Sequence, residues 1–564
     1  MPLRFKLIEK CRQDTRNVKA DGADFLLEED SWNDYSYYVM YHLHATGRLT
    51  GSGNEYLGYI RIMKEGQKVS VPQLLRHELG ENLLFEKLPD GFCSLSTSVE
   101  LYQSLARRLK VEQRVEFVES MRMILGTDSS YYNAVKDSEC FTIAMLRDTS
   151  MDNYGLKMGR ELLLGKQIYY NLQEQSLKIQ FNDVSEPVEL HFSCLPDAKE
   201  DLIPNGVVAF IGKNGSGKST AIYKLAKLLY ANPDQRFKLK DFVGTITPND
   251  IGLSKLFIIS YSPFDNFVLP GIGGEDYRLM LNGMEDCSGR FVFCGIRDVK
   301  GEFETLLAES NAETYERLFE KDRVGDTSLK SISQLAVEFS VAMVVIRKDL
   351  PRREIWNKIR RQAHSLFPEV EQLLVGANVF KRTDELSSFF VSLSTGYKFF
   401  LHSLARVLAY IEKDSLVLFD EPENHIHPPM LSFMMTVMRR ILNKYNSVML
   451  VATHSPVVSQ EIFAENVYVV RNDGGPKSIT HPSIETYGAN MSEISSEVFG
   501  LTTDITNYYD AYRGLYNQWK TDQWQSVEDM IESFECRLKG KISPQLMSYL
   551  INLFYVDSEE ARLD

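Results

Sequence analysis

Short apolar runs alternate with longer stretches of three-four apolar spacing along this chain, and together they predict an α/β protein. Four runs read as buried strands: 207–211 (VVAFI), 255–260 (KLFIIS), 416–419 (LVLF) and 448–453 (VMLVAT). Ahead of them, Tyr37 to His44 and Tyr56 to Met63 are β-rich and are joined by the turn-forming TGRLTGSGNE, which predicts a hairpin. Residues 68–175 read mostly as helix, as in SVELYQSLARRLKVEQRVEFVESMRMIL, and 177–181 and 188–192 return to strand. From Glu302 to Leu386 there is little but helix, and the chain beyond Leu501 is helical and mixed in charge. The order predicts a β-rich N-terminal lobe (1–67), a mainly helical insertion (68–175) and a first core half (176–300). A helical lid (301–390), a second core half (391–500) and a helical C-terminal extension (501–564) complete it.

The length of 564 residues suits several domains, and 44% hydrophobic with 25% charged residues is ordinary for a soluble chain. No apolar run approaches the ~18 residues that cross a bilayer, and the N-terminus lacks a signal-peptide core, so a cytoplasmic protein without membrane partners is expected. Seven cysteines, at 11, 93, 140, 194, 287, 294 and 536, form no C-x-x-C pair, which predicts reduced thiols and no structural zinc. The net charge of −14 argues against a globally basic coat but leaves room for a local basic surface. Lys348, Arg352, Arg353, Lys358, Arg360 and Arg361 are the most concentrated positive charge, a candidate nucleic-acid or partner surface that a plain solvated helix matches equally well. Arg107, Arg108, Lys110 and Arg114 interleave with Glu112, Glu116 and Glu119 and read as a solvated helix face.

The candidate chemistry begins after the first core strand. Gly212-Lys213-Asn214-Gly215-Ser216-Gly217-Lys218-Ser219 meets G-x-x-x-x-G-K-[ST] between a strand and a helix. Gly215 and Gly217 let backbone N–H groups turn toward phosphate oxygens, and the following helix presents its positive end to the same anion. Lys218 supplies mobile charge for the β- and γ-phosphates, and the Ser219 hydroxyl suits Mg²⁺. Ser392-Leu393-Ser394-Thr395-Gly396-Tyr397 then opens a helix; alone it matches ordinary capping. Leu416 to Glu421 is a strand ending in two carboxylates, Asp420 for Mg²⁺ and Glu421 to orient or deprotonate water. A third strand ends at Thr453-His454-Ser455, where His454 can reach a γ-phosphate and steady Glu421.

In this order, GKNGSGKST, LSTGY, a strand ending in Asp420-Glu421 and His454 resemble the ABC-type ATPase superfamily. The stretches DEPENHIHP and ATHSP resemble its OLD/RecF/SMC-like branch, and SYSPFDNF with ETYGANMSEISSEVFGL is similar to PtuA-like ATPases of Septu and retron anti-phage systems. The resemblance implies an ABC-type P-loop ATPase core, ATP held by Gly212 to Thr220, Mg²⁺ at Ser219 and Asp420, and catalysis by Glu421 with His454. It implies that Ser394 and Gly396 act on the ATP of a second copy, hence a head-to-tail homodimer or larger assembly. It also implies a separate nuclease effector, with the HNH type a candidate, and possible contact with DNA or an RNA–DNA hybrid. His425 and His427 suggest metal, but the resemblance puts them in the loop across the dimer interface. Two departures leave turnover slow or triggered: Tyr397 replaces the signature glutamine, and the glutamine after the second core strand is missing, with Ser260, Ser262 or Asp265 to serve. OLD nucleases carry a Toprim domain, and the tail shows no strand-flanked D-x-D for one. A regulatory ATPase in anti-phage defence is the first reading, a RecF-type DNA-repair ATPase the alternative, and a transporter subunit the weakest.

Overall fold

A computed structural model describes the chain except residues 1, 11–17, 32–35, 69–70, 72–73, 148, 167–169, 193–204, 273, 285, 309–317, 367, 380–381, 473–476, 500–506, 521–523 and 564. Cys11, Cys194 and most of the loop expected between the strand at 188–192 and the phosphate loop lie outside the described residues. The chain divides into two compact units, Met1–Gly488 and Ala489–Asp564.

In the first unit, β1 (Phe5–Ile8), β2 (Phe25–Glu29), β3 (Met40–Ala45), β4 (Glu55–Lys64), β5 (Leu84–Phe85) and β6 (Phe92–Leu95) form one sheet, ordered β5-β1-β2-β3-β4-β6. The hairpin is β3–β4, antiparallel with an irregularity between Leu43 and His44. The sheet continues past residue 67, because β5 and β6 supply strands on its two edges. Helices Val99–Arg108, Val111–Ser120 and Tyr154–Leu164 bring Leu101, Tyr102, Leu105, Phe117 and Leu163 onto Phe5, Phe25 and Leu43. Arg108 and Arg114 are tied in rather than solvated: Arg108 pairs with Glu55, and Arg114 donates to the carbonyls of Leu109 and Leu162 at 3.0 and 3.3 Å.

Strands β7 (Ser176–Phe181), β8 (Val188–His191) and β10 (Gly244–Thr247) form a three-stranded sheet, β10-β7-β8. The core sheet holds β9 (Val207–Ile211), β11 (Leu256–Ser260), β12 (Phe291–Gly295), β13 (Leu416–Asp420), β14 (Val448–Thr453), β15 (Val467–Arg471) and β16 (Ser478–Thr480). Its order is β12-β11-β13-β14-β9-β15-β16, with β12 to β15 parallel and β16 antiparallel. Every residue of β9, β11, β12 and β14 is buried, as continuous apolar runs require when helices cover both faces. Register fixes the site: Asp420 pairs with Ala452, and Thr453 with Ile211, so three strands end level where ligands bind in such sheets.

The two halves of the core are separated in sequence by helices Val299–Ala308, Ile332–Lys348, Leu350–Leu366, Pro368–Val379 and Thr383–Ser392. Arg352 of the basic cluster is turned inward, donating to the carbonyls of Leu408 and Ile411 at 2.7 and 3.1 Å. Lys348, Arg353, Lys358 and Arg361 remain exposed. The second unit packs Tyr516, Met530, Phe534, Ile542 and Leu550 into a small helical core of its own. No helix is long and apolar enough to cross a membrane, among the described residues.

Candidate nucleotide site

The phosphate loop follows β9 and leads into helix Lys218–Tyr230, whose side chains are buried from Ala221 onward. Gly217 caps that helix at φ +100°, a left-handed conformation that favours glycine. Gly212 stands at φ +150°, and a Cβ there would lie 2.5 Å from the Val470 carbonyl oxygen of β15. The loop is therefore held close against β15 at Gly212.

Lys218 is buried, and its Nζ donates to the carbonyls of Gly212 and Lys213 at 3.0 Å each. Burial lowers its pKa, while Glu421, Glu423 and Asp420 oppose the shift and favour the ammonium form. Ser219 Oγ donates to Asp420 Oδ1 at 2.8 Å, joining the loop to the tip of β13. Burial pushes the Asp420 carboxyl up to about 8; Asp265, Glu421 and Glu423 add to the shift and the Ser219 hydrogen bond opposes it. So many carboxylates around one buried acid call for a cation.

The residues present fit Mg²⁺. Among the described residues no three His, Cys, Asp or Glu side chains form a metal cage. Mg²⁺ ordinarily takes one or two protein oxygens and fills the rest with water and substrate phosphates. Ser219 and Asp420 supply such a pair, and near them in sequence Ser216 Oγ and Glu423 Oε2 are buried without a hydrogen-bond partner among the described residues. His425 and His427 are exposed and belong to no such cage.

Glu421 takes φ +46°, uncommon outside glycine and often a mark of function, and its N–H donates to the Ala452 carbonyl at 2.8 Å. Asn424 Nδ2 donates to Glu421 Oε2 at 2.7 Å. His454 does not meet Glu421 as expected. Its Nδ1 lies 3.1 Å from Glu423 Oε1, which also accepts from the His454 N–H and Thr453 Oγ1 at 2.7 Å each. Glu423 is thus the residue that sequence reasoning missed; its signal was a third carboxylate two positions past Glu421.

Of the three residues named for the place of the absent glutamine, Ser260 and Asp265 are both buried. Asp265 is buried, accepts from Tyr223 Oη at 2.8 Å and acts electrostatically on Asp420. Ser262 instead accepts from the Phe264 N–H.

Ser394 caps helix Thr395–Tyr410 from an exposed position, and its side chain makes no capping hydrogen bond. Gly396 lies against the turn after β13, where a Cβ would stand 2.5 Å from the His425 carbonyl oxygen. Tyr397 donates its hydroxyl to Glu369 at 2.8 Å. No hydrogen bond joins Ser394 or Gly396 to the phosphate loop among the described residues. The structure brings Gly212 to Thr220, Asp420, Glu421 and His454 together at the carboxyl ends of β9, β13 and β14, and the signature turn lies against the turn after β13 through Gly396 and His425.

Residues 207–459 match the family described as "AAA domain, putative AbiEii toxin, Type IV TA system". Over 538 residues, 90% of this chain and 91% of the relative, the chain is 24% identical to Protein ea59 of Escherichia phage lambda. Among solved structures it is similar to the SMC head domain from Thermotoga maritima, 14% identical, covering 55% of this chain and 99% of that one at a TM-score of 0.25. It is also similar to UvrA2 from Deinococcus radiodurans, 13% identical, covering 58% and 40% at a TM-score of 0.26. The fold is defined by the strand order of the core sheet and by the phosphate loop between β9 and helix Lys218–Tyr230. The chain is built on an α/β P-loop core of mostly parallel strands, with a β-rich N-terminal lobe and many added helices.

Proposed function

We propose that the chain binds ATP at Gly212 to Thr220 and hydrolyses it with Glu421 as base. The observation that carries this reading is the 2.8 Å contact of Ser219 with Asp420, which joins phosphate loop and carboxylate strand in one site. Backbone N–H groups of Gly215 and Gly217 receive the phosphate oxygens, and Lys218 exchanges its two carbonyl partners for phosphate charge. Ser219 and Asp420 would hold Mg²⁺, whose charge would offset that of the phosphates when bound. Glu421 takes a proton as the water oxygen bonds to the γ-phosphorus; the bond to the β–γ bridging oxygen breaks, and ADP leaves with that electron pair. Glu423 orients His454 toward the same edge.

Ser394, exposed with its hydroxyl unused in capping, serves with Gly396 as the phosphate contact for a second copy, so the working unit is a head-to-tail homodimer. The output is control of a separate effector, a nuclease in anti-phage defence. The matched family's description, a putative AbiEii toxin of a type IV toxin–antitoxin system, is the support for that setting. Direct DNA binding is the second reading, favoured by exposed Lys348, Arg353, Lys358 and Arg361. The test is turnover against Mg²⁺ concentration. Asp420→Asn and Ser219→Ala should each raise the Mg²⁺ requirement ~tenfold or more; unchanged curves would remove the metal assignment. Stimulation by DNA alone would favour the second reading.

A further inference from the structure

A cavity beside β12, the edge strand of the core sheet, takes no part in the nucleotide site. It measures about 420 Å³, inside the ~300–1,000 Å³ range of small-molecule sites. Met284, Phe291, Phe293, Val299 and Val337 give it an apolar wall. Arg406, from helix Thr395–Tyr410, lines it and is 7% exposed. One terminal nitrogen of Arg406 donates to the Phe293 carbonyl at a long 3.3 Å, and its Nε has no acceptor among the described residues. Glu338, whose charge acts on Arg406, is turned to Lys330 at 2.7 Å and His402 at 3.0 Å instead. A buried guanidinium with an unfilled Nε donor is costly, and the Arg406 side chain forms part of the cavity lining. Lys300, Lys330 and Arg406 face Asp298 and Glu338 around the cavity, a surplus of one positive charge.

We propose that this cavity binds a small organic carboxylate, its head paired with Arg406 and its apolar body laid along β12. One surplus charge suits a monoanion, and the planar guanidinium matches a carboxylate in two parallel hydrogen bonds. Because Arg406 shares a helix with Ser394 and Gly396, an occupant ties the signature helix to the sheet edge. That consequence rests on the ATPase reading; the binding site does not.

Calorimetry with octanoate and 1-octanol, which share a chain and differ in charge, tests the proposal on the full chain without nucleotide. Octanoate should bind once per chain and ~tenfold or more tighter than 1-octanol. Arg406→Met should abolish that difference. Val337→Trp, at a position 56% exposed on the rim, should block octanoate while leaving the protein folded, and it stands alone if Arg406→Met fails to fold. Equal affinity for the alcohol, unaltered octanoate binding in Val337→Trp, or no binding up to ~5 mM octanoate would overturn the proposal. ATP turnover that responds to neither compound would leave the site and remove only its link to the signature helix.

Discussion

Gly396→Ala inverts the usual sign of a helix substitution. In a helix interior, alanine gains up to ~1 kcal/mol over glycine. At Gly396 the new Cβ would lie 2.5 Å from the His425 carbonyl oxygen, a backbone atom that has to move by several tenths of an ångström. Overpacking of this kind costs roughly 1–3 kcal/mol, so the net expectation is destabilisation by roughly 1–2 kcal/mol. The displaced turn, Pro422–His425, holds Glu423 and follows Glu421 directly, so turnover should fall with stability. Gly514 is the control: it lies in helix Asn507–Trp519 with nothing within 4 Å of a built Cβ. Gly514→Ala should slow local amide exchange, equivalent to a gain of ~0.5–1 kcal/mol. Hydrogen exchange across Thr395–Tyr410 and Asn507–Trp519, with ATP turnover in parallel, reads both variants. If Gly396→Ala slows exchange in its own helix and leaves turnover intact, the reasoning about the His425 contact is refuted.

Burial pushes the Asp414 carboxyl from 3.8 up to about 6, against pulls from Lys413 and an Asn446 hydrogen bond. The folded carboxyl holds its proton more tightly than the unfolded one, so this stability is full below pH 4 and lost as pH rises through about 6. Asp414→Asn should flatten that window in urea titrations and stabilise the protein at neutral pH by ~1–3 kcal/mol, with asparagine at ease at φ +60°. Arg61, fully buried, pairs with Asp234 of helix Pro233–Leu239 and donates to the Met145 carbonyl at 2.6 Å, linking the N-terminal sheet to the core. Arg61→Met should cost ~3–5 kcal/mol by leaving Asp234 short of its main counter-charge; the double variant with Asp234→Asn should recover part of it. A double variant no more stable than Arg61→Met would refute the stranded Asp234 charge as the cause of the loss.

The core strands were legible because parallel strands buried on both faces spell continuous apolar runs, as VVAFI and VMLVAT do. The phosphate loop was legible because its glycines and Lys218 are dictated by local backbone chemistry. Less could be read where long-range contacts decide. The two-residue strand β5 has no periodicity of its own and exists through pairing with β1. The inward turn of Arg352 depends on carbonyls at Leu408 and Ile411, more than fifty positions away. The same holds for His454, whose partner was set by the 3₁₀ turn at Pro422–His425, which points Glu423 rather than Glu421 at β14.

The most direct measurement is nucleotide hydrolysis and retention by Glu421→Gln beside the parent chain, with Mg²⁺ and ATP, read together with mass by light scattering. The account predicts ATP kept unhydrolysed at one per chain, turnover reduced ~100-fold or more, and a dimer that persists only while ATP is bound. Hydrolysis at the parental rate, or ATP held by a monomer, would contradict it.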